Sequence, residues 1–419
     1  MRIAIVGAGI AGLGAAYLLG RQHEVVVYEA ETRLGGHTHT HAIEINGERH
    51  QIDSGFIVFN PNHYPLLTRL FAELEVESQP TIMSFAVKNE VSGLEYNATN
   101  LNALFCQRRN LVSPAFWRMV REILRFYREA PALLADPGPG PALGEYLYAG
   151  GYGALFIEDH LLPMASALWS SPSATVMQFP AKYLVQFMAN HQMLDPGTRQ
   201  PWRVVKGGSA RYLDKLIPAI RGEFRRGAPV RRVERMASAV RISTASDVSD
   251  FDQVVFACHS DQALALLADA SAAEREVLGA ISFQRNDTVL HTDASLLPTR
   301  RKAWAAWNAL RLKTDARAPA QPACTVSYSM NHLQGLQTAT PFVVTLNATG
   351  RIDPAKILAR MDYAHPVYTH ASVAAQTRWA QINGVQRTWF CGAWWGWGFH
   401  EDGLRSGVRV ANALGCEWA

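Results

Sequence analysis

The chain has 419 residues, 40 Lys and Arg against 36 Asp and Glu for a formal net charge of +4, and 48% hydrophobic residues. This composition describes a globular protein with room for a large core and a buried ligand. It excludes disordered and collagen-like chains, and so small a net charge argues against a nucleic-acid partner. Five cysteines, Cys106, Cys258, Cys324, Cys391 and Cys416, contain no C-x-x-C pair, so neither a disulfide framework nor a zinc site is expected and a cytoplasmic, reducing setting fits.

Residues Ile3 to Gly20 carry no charge, yet their glycines set them apart from a signal peptide or membrane span. Arg2 to Val6 reads as a short buried strand, Gly7-Ala8-Gly9-Ile10-Ala11-Gly12 as a glycine turn, and Leu13 to Leu19 as a helix. Val25 to Tyr28 is the next strand, and it ends in Glu29, 20 residues beyond Gly9, where a dinucleotide site needs a carboxylate for ribose hydroxyls. Gly7 permits the turn, Gly9 lets backbone approach a pyrophosphate, and Gly12 lets helix pack on strand. The helix start, with Ala11 in its first turn, offers partial positive charge to phosphate.

The run Glu29-Ala30-Glu31-Thr32-Arg33-Leu34-Gly35-Gly36 resembles flavoproteins of the amine oxidase and phytoene desaturase superfamily. The resemblance implies an α/β fold: a Rossmann-type FAD-binding domain with an interleaved α+β substrate domain. FAD is the implied cofactor, with Glu29 and Ala30 at the adenosine ribose, Arg33 against the phosphates, and Gly35, Gly36 and His37 passing close to it. Ile52-Asp53-Ser54-Gly55-Phe56 is similar to the family's D-x-G segment near the flavin ring, which brings Gly55 and Phe56 into the site. Val230 falls where the family reads adenine with backbone. Near the C-terminus, Thr388 to Ala393 and Asp402 to Gly407 resemble the family's last FAD motif, so Gly392, Asp402, Gly403 and Leu404 complete the cofactor set.

These motifs divide the chain into FAD-binding segments 1–64, 201–280 and 376–419, interrupted by a mainly helical substrate segment 65–200 and a sheet-containing one 281–375. Strands are expected at Thr288 to Thr292, Cys324 to Met330 and Phe342 to Leu346, and Pro137 to Pro141 is a loop. Ser113 to Leu134 predicts a basic amphipathic helix. It either covers the substrate domain or rests peripherally on anionic lipid at the inner face of the membrane.

Flavin oxidation of a C–H bond needs few reactive side chains, because the cofactor accepts the hydride. His37, His39 and His41 alternate in a way that could chelate a metal, but His37 follows the double glycine on the cofactor side, and no metal is assigned. Amine oxidases of the superfamily carry a lysine at the flavin on the strand matching Phe283 to His291. Asn286 and Asp287 stand there instead, with Lys182 or Lys206 as displaced substitutes. His400 replaces a tyrosine of the family and is the candidate catalytic residue, and Trp394, Trp395, His291 and Tyr328 are candidates for the substrate pocket.

The run from Phe390 to Leu404, with Asn286 to Asp293 and Tyr328 to Asn331, is similar to bacterial predicted NAD/FAD-binding proteins related to the N-terminal flavin domain of plant cyclopropane fatty acid synthases. That resemblance implies an FAD-dependent dehydrogenase or desaturase acting on a fatty acyl chain or a methylated or cyclopropane lipid, with a lipid methyltransferase as partner. The alternatives are an amine oxidase releasing hydrogen peroxide, a flavin-dependent isomerase, and a non-catalytic flavin-binding partner of the methyltransferase.

Overall fold

A computed structural model describes residues 1–418 apart from 196, 198–200 and 314–324. The chain forms two compact units: Met1–Gln79, Val205–Phe283 and Ala371–Ala419 make unit one, and Pro80–Val204 with Gln284–His370 make unit two.

Unit one is built on short strands rich in β-branched residues, with Ile3, Ala4 and Ile5 fully buried, as a parallel sheet covered on both faces requires. Its five strands run in the order Glu223–Arg225, Glu24–Tyr28, Arg2–Val6, Gln253–Phe256, Thr388–Phe390. Val6 stands opposite both Tyr28 and Phe256, so the three central strands end level. The turn after Val6 therefore lies at the carboxyl edge of the sheet, where parallel α/β sheets bind ligands. A separate antiparallel sheet of Arg232–Arg235, Val240–Ser243 and Val248–Phe251 packs Val233, Val240 and Ile242 into the same core.

The helices Ile10–Leu19 and His400–Ala413 approach through small residues. A Cβ on Gly407 would stand 2.2 Å from the Ala11 carbonyl oxygen, and one on Gly403 2.9 Å from Ile10. Because Ile10 meets Gly403 and Ala11 meets Gly407, the two helices begin side by side. The Glu401 carboxylate accepts the Leu66 and Leu67 amides at 3.0 Å each, capping the helix Pro65–Glu73 and tying it to unit one, so unit two begins only at Pro80.

Unit two carries a seven-stranded sheet in the order Ile357–Pro366, Phe283–His291, Val343–Leu346, Thr325–Ser329, Trp307–Arg311, Phe85–Asn89, Leu94–Asn97. The strand expected at Cys324 to Met330 is Thr325–Ser329, Met330 opening a short helix, and Cys324 lies outside the described residues. The helix expected from Ser113 to Leu134 is Pro114–Glu129. Ser113 caps its start through the Phe116 amide, and Pro131, without an amide hydrogen, turns the chain into the 3₁₀ segment Ala130–Ala135. Phe116, Met119 and Phe126 fill its inner face.

Cys106, Cys258, Cys391 and Cys416 are free thiols. Among the described residues no helix is long and apolar enough to cross a membrane.

Candidate active site

In unit one, Gly7 has a φ of +108° that a side chain would strain, and its amide bonds the Tyr28 carbonyl at 2.8 Å. A Cβ on Gly12 would lie 2.0 Å from the Gly7 carbonyl oxygen, so helix and turn close on each other only with glycine there. Gly9 differs: nothing stands within 4 Å of the Cβ it lacks, and that open space lies at the N-cap of the helix Ile10–Leu19. No side chain caps that helix and its first turn holds no acid, so its amides and dipole remain for an anion. Glu29 accepts the Ala8 amide at 2.8 Å and the Glu31 amide at 3.0 Å, which fixes the carboxylate beside the turn. Ala30 is exposed next to it, and Ala228 bonds the Glu29 carbonyl at 2.9 Å, which brings the half-buried Val230 segment along the same strand end.

The loop after Glu29 is held by Arg33, whose Nη1 donates to the Gly36 and Thr38 carbonyls at 2.8 and 2.9 Å. Gly35, at φ +113°, bonds the Ala8 carbonyl, and the place of a Cβ on Gly36 is 3.1 Å from Gly9 Cα. Gly55 presses on this loop, since its Cβ would fall 2.0 Å from the His37 carbonyl oxygen, which also accepts the Phe56 amide at 2.8 Å.

Phe56 stacks on His400 with ring centroids 3.8 Å apart and 9° between planes. His400 Nε2 lies 2.9 Å from the Tyr212 hydroxyl, which lies 2.7 Å from the Thr38 hydroxyl. Burial lowers the His400 pKa to about 3, so its imidazole is neutral at physiological pH and serves as a hydrogen-bonding partner, not as a cation. Its position in the first turn of the helix His400–Ala413 also disfavours positive charge.

Below this group, Asp53 is fully buried and accepts the Thr40 hydroxyl at 2.5 Å, the Ser209 amide at 2.8 Å and the Ser209 hydroxyl at 2.9 Å. Burial raises its pKa to about 6 despite these donors. Thr38, Thr40, Ser209 and Tyr212 escaped the sequence reading, because their partners lie far along the chain. The local signal was the Gly207-Gly208-Ser209 turn, both of whose glycines have positive φ.

The two helix starts, the open space at Gly9 and the fixed Glu29 fit the pyrophosphate and ribose of FAD, and Gly403 and Leu404 sit in the first turns of the second helix. Asp402 turns inward instead. It accepts the Phe399 amide at 3.0 Å and Arg405 at 3.1 Å, and burial raises its pKa to about 6, so it caps the helix. Gly392 donates its amide to Ser406, and a Cβ there would meet the Trp394 indole at 2.2 Å, so Trp394 is what requires glycine at this position.

The structure corrects three expectations, those for the tryptophans, the displaced lysines and His291. Trp394 is 3% exposed in the core of unit one, its Nε1 donating to the Cys258 carbonyl at 3.1 Å, so it is core packing, and the half-buried Trp395 packs on it with Nε1 on the Phe390 carbonyl. Lys206 is exposed and paired with Glu77 at 2.9 Å, while Lys182 fastens the Pro137–Pro141 loop through the carbonyls of Asp136 and Gly138, so neither replaces the family lysine. His39 and His41 stack at 3.9 Å while His37 lies against His259 at 6.4 Å, so the three do not converge.

The third correction is His291 in unit two, which falls on the opposite face of the sheet from Tyr328. Leu290 pairs with Val344, Val344 with Tyr328, Tyr328 with Trp307 and Trp307 with Phe85, which makes one row across five strands. Its three aromatic rings are half-buried, and Tyr328 meets Trp307 edge-on at 5.2 Å. His291 belongs to the other face, fully buried. Its Nδ1 accepts the Asp293 amide at 3.1 Å, so Nε2 donates to Thr345 at 2.8 Å, and burial lowers its pKa to about 4. It is a core histidine. On the same strand, Asn286 donates to His365 Nδ1 at 3.1 Å and accepts from Asn347 at 2.7 Å.

Comparison with known proteins agrees with this geometry. An L-amino-acid oxidase from Pseudechis australis is 32% identical over a stretch that covers 22% of this chain and only 22% of that relative's length. The structure of a CLA-producing fatty acid isomerase from P. acnes matches at a TM-score of 0.70 and 16% identity over 99% of this chain and 98% of its own. Cyclohexylamine oxidase from Brevibacterium oxydans IH-35A matches at 0.68 and 15% over 99% and 98%. At these identities the two structures show a shared fold. Residues 10–289 match the model for flavin containing amine oxidoreductase, and the chain belongs to that family of FAD-dependent oxidoreductases.

Proposed function

We propose that the protein is a dehydrogenase or desaturase of an apolar substrate, a fatty acyl chain or a methylated or cyclopropane lipid. The observation that carries this reading is the uncharged row on one face of the unit two sheet, in which the half-buried rings of Phe85, Trp307 and Tyr328 offer the surface and Val344 and Leu290 are fully buried. A wall of this kind holds an alkyl chain by burial, at about 25 cal/mol per Å² of apolar surface, and offers no carboxylate to an ammonium group. The missing lysine at Asn286 weighs in the same direction.

FAD, when bound, supplies the hydride acceptor. Of the chain's own residues, the start of the helix Ile10–Leu19 neutralises phosphate charge and Glu29 orients ribose. Phe56, stacked on a neutral His400, keeps an uncharged surface that excludes water. The Tyr212 and Thr38 hydroxyls hold that imidazole in one orientation.

The isomerase reading stands second, favoured by the fold shared with the CLA-producing fatty acid isomerase. Anaerobic addition of phospholipids with unsaturated, methylated or cyclopropane chains to the oxidised holoprotein decides between them. Bleaching of the flavin band by lipid supports the dehydrogenase. A rearranged acyl chain formed only after prior reduction of the flavin, without its consumption, supports the isomerase. Bleaching by polyamines alone overturns both.

A further inference from the structure

The helix Pro114–Glu129 was expected to present an apolar face either inward or to lipid, and its inner face is consumed by Phe116, Met119 and Phe126. A second apolar surface lies at its N-terminal end. Val112 is 83% exposed and Leu101 75% exposed, with Leu111 and Trp117 also open to solvent. They come from one short stretch, the knob, in which the Trp117 ring packs at 5.2 Å on Phe105 at the end of the helix Leu101–Leu104 and its Nε1 donates to the Leu111 carbonyl at 2.8 Å. The knob is thus fixed, with an indole at its edge, the residue most at home where an apolar phase meets water.

Charge surrounds it. Residues 99–129 hold six Arg and two Glu, a surplus equal to the whole chain's formal +4. Both glutamates are already engaged: Glu122 with Arg118 and the Gly153 amide, Glu129 with Arg125 and Arg128. Arg108, Arg109 and Arg121 meet no carboxylate among the described residues. Arg108 bonds Asn102 and the Phe105 carbonyl, and Arg109 bonds the Gly93 carbonyl. An exposed apolar patch with unpaired guanidinium groups at its rim suits a surface that is apolar within and anionic at its boundary.

We propose that this knob docks the protein on anionic membranes, Leu101, Leu111, Val112 and Trp117 entering the acyl boundary while Arg108, Arg109 and Arg121 meet lipid phosphates. The inference stands apart from the substrate reading, because docking needs no turnover and uses no residue of the row on the unit two sheet.

The test is co-sedimentation of the full holoprotein with vesicles of phosphatidylcholine alone and with one third phosphatidylglycerol. Binding should need phosphatidylglycerol and weaken steeply in high salt. The double variant L101D/V112D should reduce partitioning more than tenfold, and R109E/R121E by at least about fivefold per arginine. Val112 and Leu101 are largely in solvent, so retained FAD content and melting temperature will show that these variants fold. Binding to neither vesicle overturns the proposal, as does equal binding by the variants. Self-association that V112D abolishes, without vesicle binding, would assign the knob to a contact between copies instead.

Discussion

On the proposed reading, the nucleotide turn of unit one and the sheet of unit two prepare for a ligand by opposite means. In unit one the preparation is main chain: glycines let turn, helix and loop close together, and one of them, Gly9, leaves space. In unit two it is side chain: the rows alternate across the sheet, and the face on which a residue lands decides which neighbours it meets. A cradle of backbone is intolerant at every closing position, whereas a wall of side chains tolerates change and expresses it as selectivity.

The largest expected effect follows from the first half of that contrast. Gly12→Val drives a side chain into the Gly7 carbonyl and should cost about 3 kcal/mol or more, leaving little folded protein. The Cβ added by Gly9→Val has nothing within 4 Å of it in the protein. The apoprotein of this variant should lose only about 1 kcal/mol, the cost of a poorer N-cap residue, while FAD retention falls more than tenfold on the purified protein's visible spectrum. If Gly9→Val keeps its FAD, the space at Gly9 is not the cofactor's, and the comparison breaks.

This contrast also explains what could be read in the sequence. The turn from Gly7 to Gly12 and the distance to Glu29 are properties of one short stretch, so spacing alone exposed them. Tyr328 and His291 could not be told apart, because their faces depend on pairing with Val344 and Val343, and register is set by strands distant in the chain. Trp394 and Trp395 sit between two cofactor motifs and so invited a pocket role, yet burial of an indole is settled by the Cys258 and Phe390 carbonyls that receive its N–H. The group around His400 joins residues 38, 56, 212 and 400, separations that no periodicity reports. The amphipathic helix at Pro114 was legible as a pattern, but its exposed end lies in the residues before it.

The second prediction sharpens the two faces of the unit two sheet. Trp307→Ala should lower kcat/KM for an acyl substrate by about ten- to a hundredfold, the cost of losing roughly 1.5–3 kcal/mol of apolar burial, with a smaller loss of stability. His291→Ala should do the reverse, destabilising by about 2–3 kcal/mol through the orphaned Asp293 amide and the cavity left by a fully buried ring while kcat/KM stays within about twofold. A stable His291→Ala protein with altered selectivity would exchange the roles of the two faces.

In unit one, His400 supplies a third and smaller effect through pH. Its folded pKa of about 3 lies below the unfolded value of about 6.5, so the fold binds fewer protons, and the stability present above pH 6.5 is lost as the pH falls toward 3. From pH 7.5 to pH 5 this one group should cost up to about 2 kcal/mol. His39 and His291, each lowered to about 4, act with the same sign, so the test is a difference between proteins. Denaturant titrations of wild type and His400→Gln should converge as the pH falls from 7.5 to 5. Parallel curves would mean that His400 is hydrated in solution and is not the neutral partner of Phe56.

The smallest effect is a null result that bears on the chemistry. An amine oxidase reading needs a lysine at the flavin, and the two displaced lysines named from the sequence are spent elsewhere, Lys206 on Glu77 and Lys182 on loop carbonyls. Lys206→Met removes an ion pair that is fully solvent-screened, so the melting temperature should hardly move and turnover should stay within about twofold of wild type. The same holds for turnover in Lys182→Met. A large fall in flavin reduction by either variant, with FAD still bound, would restore a lysine to the chemistry. The uncharged row of unit two would then be the wall of an amine site, and selectivity for acyl chains would have to be sought elsewhere.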